Sequence, residues 1–470
     1  MIRTEISEVD MSGITGNKRG SAAVFLAILI VTFAAALVVV VQVARELTVH
    51  SESRAFSIVW ARGILSEYDL YLLHDYGLMA YQGDDELVGR KVEIYMEYSM
   101  ASKLNSKLQG AEAVLGGIEL GDPENFRKAM KLSLGMEAGK KLLSKERIER
   151  PPVEDRPFTG VTDGTFVGGD VPESMAQEKV ETVEGYRYIS NPVILRTLPS
   201  HGHQDRFIGS RAGEILKNTG SGDALTGIAG NAAMDMLFIS DHFGSHLYSP
   251  DGKKSYFRNE WEYVAAGKPS DQQNLGAVQR RLFLMRNAVN LAYLYTDQEK
   301  MELTLSIAEV ISPGAGPAVQ LILLELWASA ESYKDVETLM DDGRVPAMKT
   351  RETWQTDLSG VLEGEAFRGK LGEEGRKALD ENAETIGEMS EAGNAMNNGS
   401  IRDGLTYEDH LKVLILAVDE KVRLLRIMDI VQINMKYRYY RDFNMDEYYT
   451  GVRFTVKTNG RDYTVEEEYR

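Results

Sequence analysis

The run Ser21–Val43, SAAVFLAILIVTFAAALVVVVQV, carries no charged residue, and no other stretch of the chain resembles it. At about 1.5 Å of rise per residue such a helix is roughly 35 Å long, enough to cross a hydrocarbon core with some tilt. Backbone amides in lipid have to bond within their own segment, so helix is expected despite the valines. Ser21, Phe25, Leu29, Phe33, Leu37 and Val41 mark this membrane anchor along its length. A secretory signal peptide is the main rival, with an apolar core of roughly 7–15 residues and a small-residue cleavage site. The core here is longer, and Ala44-Arg45-Glu46-Leu47 lacks such an exit, so an uncleaved anchor is favoured. A buried helix of a soluble protein is the plainer alternative, uncommon at this length without a charge.

Lys18 and Arg19 precede the anchor and Arg45, Arg54 and Arg62 follow it, so the positive-inside count does not decide orientation. In residues 1–20 Arg3, Lys18 and Arg19 balance Glu5, Glu8 and Asp10, which leaves the net charge of −18 beyond the anchor. Large domains translocate largely regardless of their charge. The expectation is a short cytoplasmic tail and an extracytoplasmic main domain. That acidity argues against nucleic acid and anionic lipid surfaces as partners, since both need basic patches. With no cysteine, disulfides, thiol catalysis and cysteine-ligated metal are excluded.

The expected fold class is α+β: a transmembrane helix continuing into a helical stalk, then a mainly helical exported domain with a small antiparallel sheet. The divisions are a tail at 1–20, the span at 21–43, a helical stalk region at 44–150 and a loop-rich linker at 151–205. A central helical domain at 206–345, a flexible connection at 346–405, and a long helix plus β-hairpin at 406–470 complete the chain. Leu47, Ala55, Ile58, Val59, Leu65 and Leu72 recur mostly at helical intervals and extend the anchor helix to about Leu73. Tyr95–Leu108 and Asn125–Arg147 read as further helices. Glu262–Ala266 reads as a strand ending at Gly267, and Asp271–Thr296 as a helix. Pro317 suits the first turn of a helix running to Met340, with Asp341-Asp342-Gly343 as its exit. Glu363–Gly404, rich in Gly and Glu, reads as weak helix with a flexible connection. Thr406, with Asp409 in its box, caps a long helix whose stripe runs from Leu411 to Met435. Val452, Phe454 and Val456 alternate with polar residues, Asn459-Gly460 makes a turn, and Tyr463 and Val465 return as a hairpin.

Candidate chemistry is sparse, and no catalytic residue, cofactor or metal is expected. His242 and His246 stand four apart, as zinc would require on one helix face, but Gly244 lies between them and the glutamate of H-E-x-x-H is missing. His201 and His203 form a second cluster in a Gly-containing turn. For His242 and His246 solvated or capping histidines at a helix end are the plainer reading, and for His201 and His203 it is the weak binding of stray metal by a flexible segment. Gly220-Ser221-Gly222-Asp223 has no Lys after it and reads as a turn before a helix rather than a phosphate loop. The run Tyr437-Arg438-Tyr439-Tyr440-Arg441 fits ligand stacking or ordinary contacts at a helix end, and the second is favoured.

The pattern Lys18-Arg19-Gly20 followed by an Ala-rich apolar helix resembles the start of the pseudopilin-like proteins of tight-adherence (Tad) pilus systems. The fifth position after the Gly, usually glutamate in those proteins, is Phe25 here. Leu65–Asp69 with Asp75–Leu78, Tyr263–Lys268 through Asn290, Trp327–Glu331, and Thr406–Asp409 with Leu425–Asp429 resemble a family of single-pass bacterial envelope proteins that accompany Tad-type components. The resemblance implies a setting beside pilus components and no activity; with the anchor, the stalk and the lack of a catalytic motif, the expectation is a non-catalytic structural or assembly role, with the lipid bilayer and other pilus or envelope assembly proteins as partners. Ala23-x-x-x-Ala27 offers a small-residue face for a homo-oligomer through the anchor. The alternative is an exported, membrane-tethered hydrolase whose site would gather His203, His242 or acidic groups with perturbed pKa. A sensor is a third reading, weakened by so short a cytoplasmic segment.

Overall fold

A computed structural model of the chain describes residues 18–100, 108–143, 180–183, 186–189, 198–199, 222–250, 255–393 and 404–469. In chain order the elements begin with α1 (Lys18–Leu65), α2 (Leu70–Tyr76), β1 (Tyr81–Gln82), α3 (Asp85–Met100), β2 (Leu108–Ala113) and α4 (Pro123–Leu143). Next come β3 (Val180–Val183), β4 (Tyr186–Ile189), α5 (Gly222–His242), α6 (Glu260–Ala266), α7 (Asp271–Thr296), α8 (Gln298–Ile311) and α9 (Gly316–Met340). Four short helices follow: α10 (Ser359–Glu363), α11 (Glu365–Lys370), α12 (Glu373–Glu381) and α13 (Ala383–Gly393). The chain closes with α14 (Tyr407–Leu416), α15 (Glu420–Arg438), β5 (Tyr448–Tyr449), β6 (Gly451–Thr458) and β7 (Arg461–Glu468). Helix dominates and the sheets are small and antiparallel, which agrees with α+β.

These residues fall into two compact units. One takes in α1 through Glu67, the described parts of Tyr81–Ile118, and Gly451–Tyr469. Its sheet has the order β2-β6-β7. The expected hairpin is present in register from Gly451 opposite Glu468 to Thr458 opposite Arg461. Asn459 and Gly460 close it with φ of 53° and 74°, the left-handed pair that a two-residue turn between twisted strands demands. Val452, Phe454 and Val456 are buried beneath α1, with Tyr463 and Val465 beside them.

The C-terminal part of α1 lies on this sheet and against α3. Its buried face is Val49, Ser53, Ser57, Trp60, Ala61 and Ile64, a run of three- and four-residue steps. Ser53 and Ser57 are small enough to bring the helix axis close to the strands. Trp60 Nε1 donates to Ser99 Oγ at 3.1 Å, and Tyr469 OH donates to the Leu65 carbonyl at 2.7 Å. The face expected from apolar spacing is therefore corrected, because Leu47, Ala55 and Val59 are exposed. The stalk is corrected too: α1 stops at Leu65, and α2 restarts where Asp69 caps the amides of Tyr71 and Leu72. The expected helix ending at Leu108 gives way to α3 and then strand β2, which pairs with β6.

The other unit comprises Tyr68–Ala80 and the described parts of Glu119–Thr450. Its main core surrounds α15, buried at nearly every residue from Arg423 to Met435, and includes Phe238, Phe243, Phe257, Trp261 and Val264. A second core gathers Leu294, Ile307, Leu323, Trp327, Trp354 and Phe367. α7 and α9 have the expected bounds, with Ser270 accepting from the Gln273 amide at the start of α7. The capping box at Thr406 is formed in both directions. The long helix expected after it is broken between Leu416 and Glu420, where Asp419 caps a new start. α10 to α13 occupy much of the region expected to be a flexible connection, with Phe367, Leu379 and Ile386 on the second core.

The expected strand at Glu262–Ala266 is the helix α6, and all seven of its residues are buried. A segment enclosed on every side has no polar face, so periodicity does not separate strand from helix. Capping decides it. Gly267 ends α6 with φ of 64°, Arg426 donates to the carbonyls of Val264 and Ala265 at 2.8 and 2.9 Å, and Arg281 donates to Ala265 at 2.7 Å.

Candidate functional site

Residues 23–43 of α1 are all exposed among the described residues, and none of the apolar window is buried. Among the described residues α1 alone is long and apolar enough to cross a membrane. Phe25, Leu29, Phe33, Leu37 and Val41 each leave at least half of their surface uncovered, and Phe33 reaches 69%. Ser21 lies in the same helix. Covering one large apolar side chain is worth about 1.5–3 kcal/mol, so a dozen of them set a strong demand for a non-aqueous neighbour. The helix then runs without interruption into the face that packs on the sheet. One rigid element thus links the uncovered apolar surface to a folded unit.

The histidine candidates are placed otherwise. His242 ends α5 with its ring 4.6 Å from Phe238, and His246 is buried with its backbone amide donating to Glu262 Oε1 at 2.9 Å. His201 and His203 lie outside the described residues. Among the described residues no group of three or more His, Asp or Glu could hold a metal ion.

Sequence reasoning missed the fully buried pair Glu260 and Glu262 on α6. Glu260 Oε2 accepts from the Gly244 amide at 2.6 Å, and its Oε1 accepts from Asn434 at 2.6 Å. Glu262 Oε1 accepts from Tyr407 OH at 2.6 Å as well as from His246. Burial pushes both carboxyls up to about 7, against the hydrogen bonds that favour the ionised form. The second oxygen of Glu262 is buried without a protein donor among the described residues. The pair clamps the 244–246 loop through backbone amides, which is positioning chemistry; both acids are enclosed rather than presented to a cleft.

A cleft of about 710 Å³ between α4, α5 and α15 is lined by Arg127, Lys128, Lys131 and Lys421 as well as Asp122, Glu124 and Glu420. At its base buried Asp235 holds Arg423 at 2.8 Å and Arg127 at 3.2 Å, while Arg127 also reaches Glu420 at 3.2 Å. Cations and anions interleave, so the cleft lacks the single-sign field that draws polyanions. The aromatic run at the end of α15 makes contacts at the core edge. Tyr439 stacks on Tyr71 at 4.1 Å, and Arg438 and Tyr439 donate to Asp75 Oδ2 at 2.8 and 2.9 Å.

These features define an α+β protein with one long helix whose apolar half is uncovered. Residues 183–460 match a family of unknown function (DUF5702), and the chain belongs to that family. No curated protein and no solved structure matches it.

Proposed function

We propose that the protein is a single-pass membrane-anchored structural or assembly component of a bacterial envelope apparatus of the pilus-like, Tad-associated kind, with no catalysis of its own. The observation that carries this reading is the continuity of α1, whose lipid-length apolar half is uncovered while its other half is fixed by packing and hydrogen bonds to a folded sheet. Such a helix transmits position and force between a bilayer and a domain, which is what an assembly component needs. The N-terminal segment would face the cytoplasm and the two folded units the outside. The pilus setting rests on the likeness of the Lys18-Arg19-Gly20 start. Deleting the gene and imaging surface filaments tests the function: lost or shortened filaments are expected, and unchanged filaments and adhesion would refute it.

The exported hydrolase is the second reading; it requires the enclosed Glu260 and Glu262, whose carboxyls burial pushes up to about 7, to open to substrate. Glu260→Gln and Glu262→Gln assayed against ester, peptide and glycoside probes test it. Hydrolysis by the native chain that is lost in a variant still showing the native circular dichroism would favour it over assembly.

A further inference from the structure

The geometry points to a parallel homodimer in which α1 of one chain packs along α1 of a second copy, from within the apolar span out through the stalk. This deepens the anchored reading and rests on it, because the bilayer is what sets two copies parallel and at equal depth. The face of α1 that packs on the sheet is spoken for by Val49, Ser53, Ser57, Trp60 and Ile64. The opposite side carries a different pattern. Ala44, Thr48, Ser51, Ala55 and Ile58 follow one another at alternating steps of four and three residues, all exposed except half-buried Ile58. The same alternation continues backward through Ala34, Leu37 and Val41 in the span, and through Ala23, Ala27 and Ile30 before them.

Alternating three- and four-residue steps are the spacing of a left-handed helix pair, in which each seam residue enters a gap of the facing helix. Lipid suffices to cover the seam inside the bilayer, but not the part beyond Arg45 and Glu46, where the chain is already charged. The four successive seam positions there, Thr48, Ser51, Ala55 and Ile58, carry no charge, on the outer side of a helix in a chain of net −18. Thr48 fits too, since its hydroxyl is satisfied by the Ala44 carbonyl at 2.9 Å. The many alanines permit close approach of the two backbones, the condition under which helices associate in membranes.

The flanking positions discriminate between occupants. In a parallel, in-register pair each residue just before the seam faces the one just after it in the next heptad of the partner. Val40 then faces Arg45, Leu47 faces Glu52 and Arg54 faces Val59. No like charges meet, and each long charged side chain lays its stem on an apolar neighbour. A second copy of this chain therefore fits the seam along its whole length.

The absence of cysteine makes the test clean, because an introduced thiol is the sole one in the chain. Full-length variants Thr48→Cys, Ser51→Cys and Ala55→Cys are oxidised in isolated membranes. His50→Cys, beside Tyr463 on the sheet side, and Tyr98→Cys, 86% exposed on α3, report random collision. The expected result is disulfide-linked dimer at the three seam positions, several-fold above both controls. It should be lost when Ala55→Glu is added to Thr48→Cys, a change at an exposed site that leaves folding intact. Equal cross-linking at Tyr98, or none at the seam, overturns the proposal and assigns that face to lipid or to another protein. Carbonate washing of the same membranes reads the anchor separately, so a lost anchor and a lost dimer give different results.

Discussion

Replacing Lys349 by methionine tests the polar centre of the larger unit. Lys349 Nζ lies 2.5 Å from Glu331 and 2.6 Å from Asp335, and all three side chains are fully buried. Arg286 completes the cluster at 2.9 Å from Asp335, and Asn290 donates to the same carboxylate at 2.9 Å. Two cations thus balance two carboxylates. Lys349→Met keeps most of the stem's packing but leaves one negative charge enclosed without compensation. Removing one partner of a buried pair costs about 3–5 kcal/mol. Glu331 still accepts from the amides of Gln355 and Thr356 at 3.0 and 2.8 Å, which points to the lower end of that range. Adding Glu331→Gln restores neutrality and keeps an acceptor for those amides, so the double variant should recover about 1–3 kcal/mol of coupling. Urea unfolding of the full chain in detergent, followed by tryptophan fluorescence, reads both numbers, since Trp327 and Trp354 sit 5.5 Å apart in the neighbouring core. A loss under about 1 kcal/mol, or strict additivity of the two changes, would refute the reasoning.

Other expectations follow from the same geometry. Glu260 and Glu262 titrate at about 7 when folded against an ordinary 4.5. The folded state therefore holds their protons more tightly, and their contribution is full below about 4.5 and lost as pH rises through about 7. At up to about 3 kcal/mol per group, the melting temperature should fall across that window, and Glu262→Gln should flatten the slope; an unaltered slope would contradict the assignment. Thr406→Ala should lower the urea midpoint by an amount equivalent to about 1 kcal/mol, and an unchanged midpoint would remove the capping box from the account. Gly460→Ala, at φ of 74° with open space around it, should cost about 1–2 kcal/mol. Gly267→Ala should cost clearly more, because its Cβ would stand 2.6 Å from the Arg426 guanidinium that caps α6. Equal losses at the two glycines would show that this crowding does not matter.

What the sequence disclosed was local. The bounds of α7 and α9, the box at Thr406 and the Asn459-Gly460 hairpin each depend on residues a few positions apart, where caps and turn chemistry act. The failures share a cause in distance or enclosure. β2, Leu108-Gln-Gly-Ala-Glu-Ala113, has no β-branched residue and is a strand because β6 pairs with it. α6 is enclosed on all sides and owes its helical state to Arg281 and Arg426 from elsewhere. The packed face of α1 includes two serines, so counting apolar residues alone chose the wrong side. The cluster of Arg286, Glu331, Asp335 and Lys349 spans two helices and a loop, and its spacing gives no motif. Glu260 and Glu262 were legible only as two more acids in an acidic chain; their burial is a tertiary fact.

Mass spectrometry of the chain recovered from carbonate-washed cell membranes bears most directly on the central idea. The expected result is an intact polypeptide that retains Ser21–Val43 and resists the wash. Recovery of the chain in the wash, or as a fragment beginning after that segment, would contradict it.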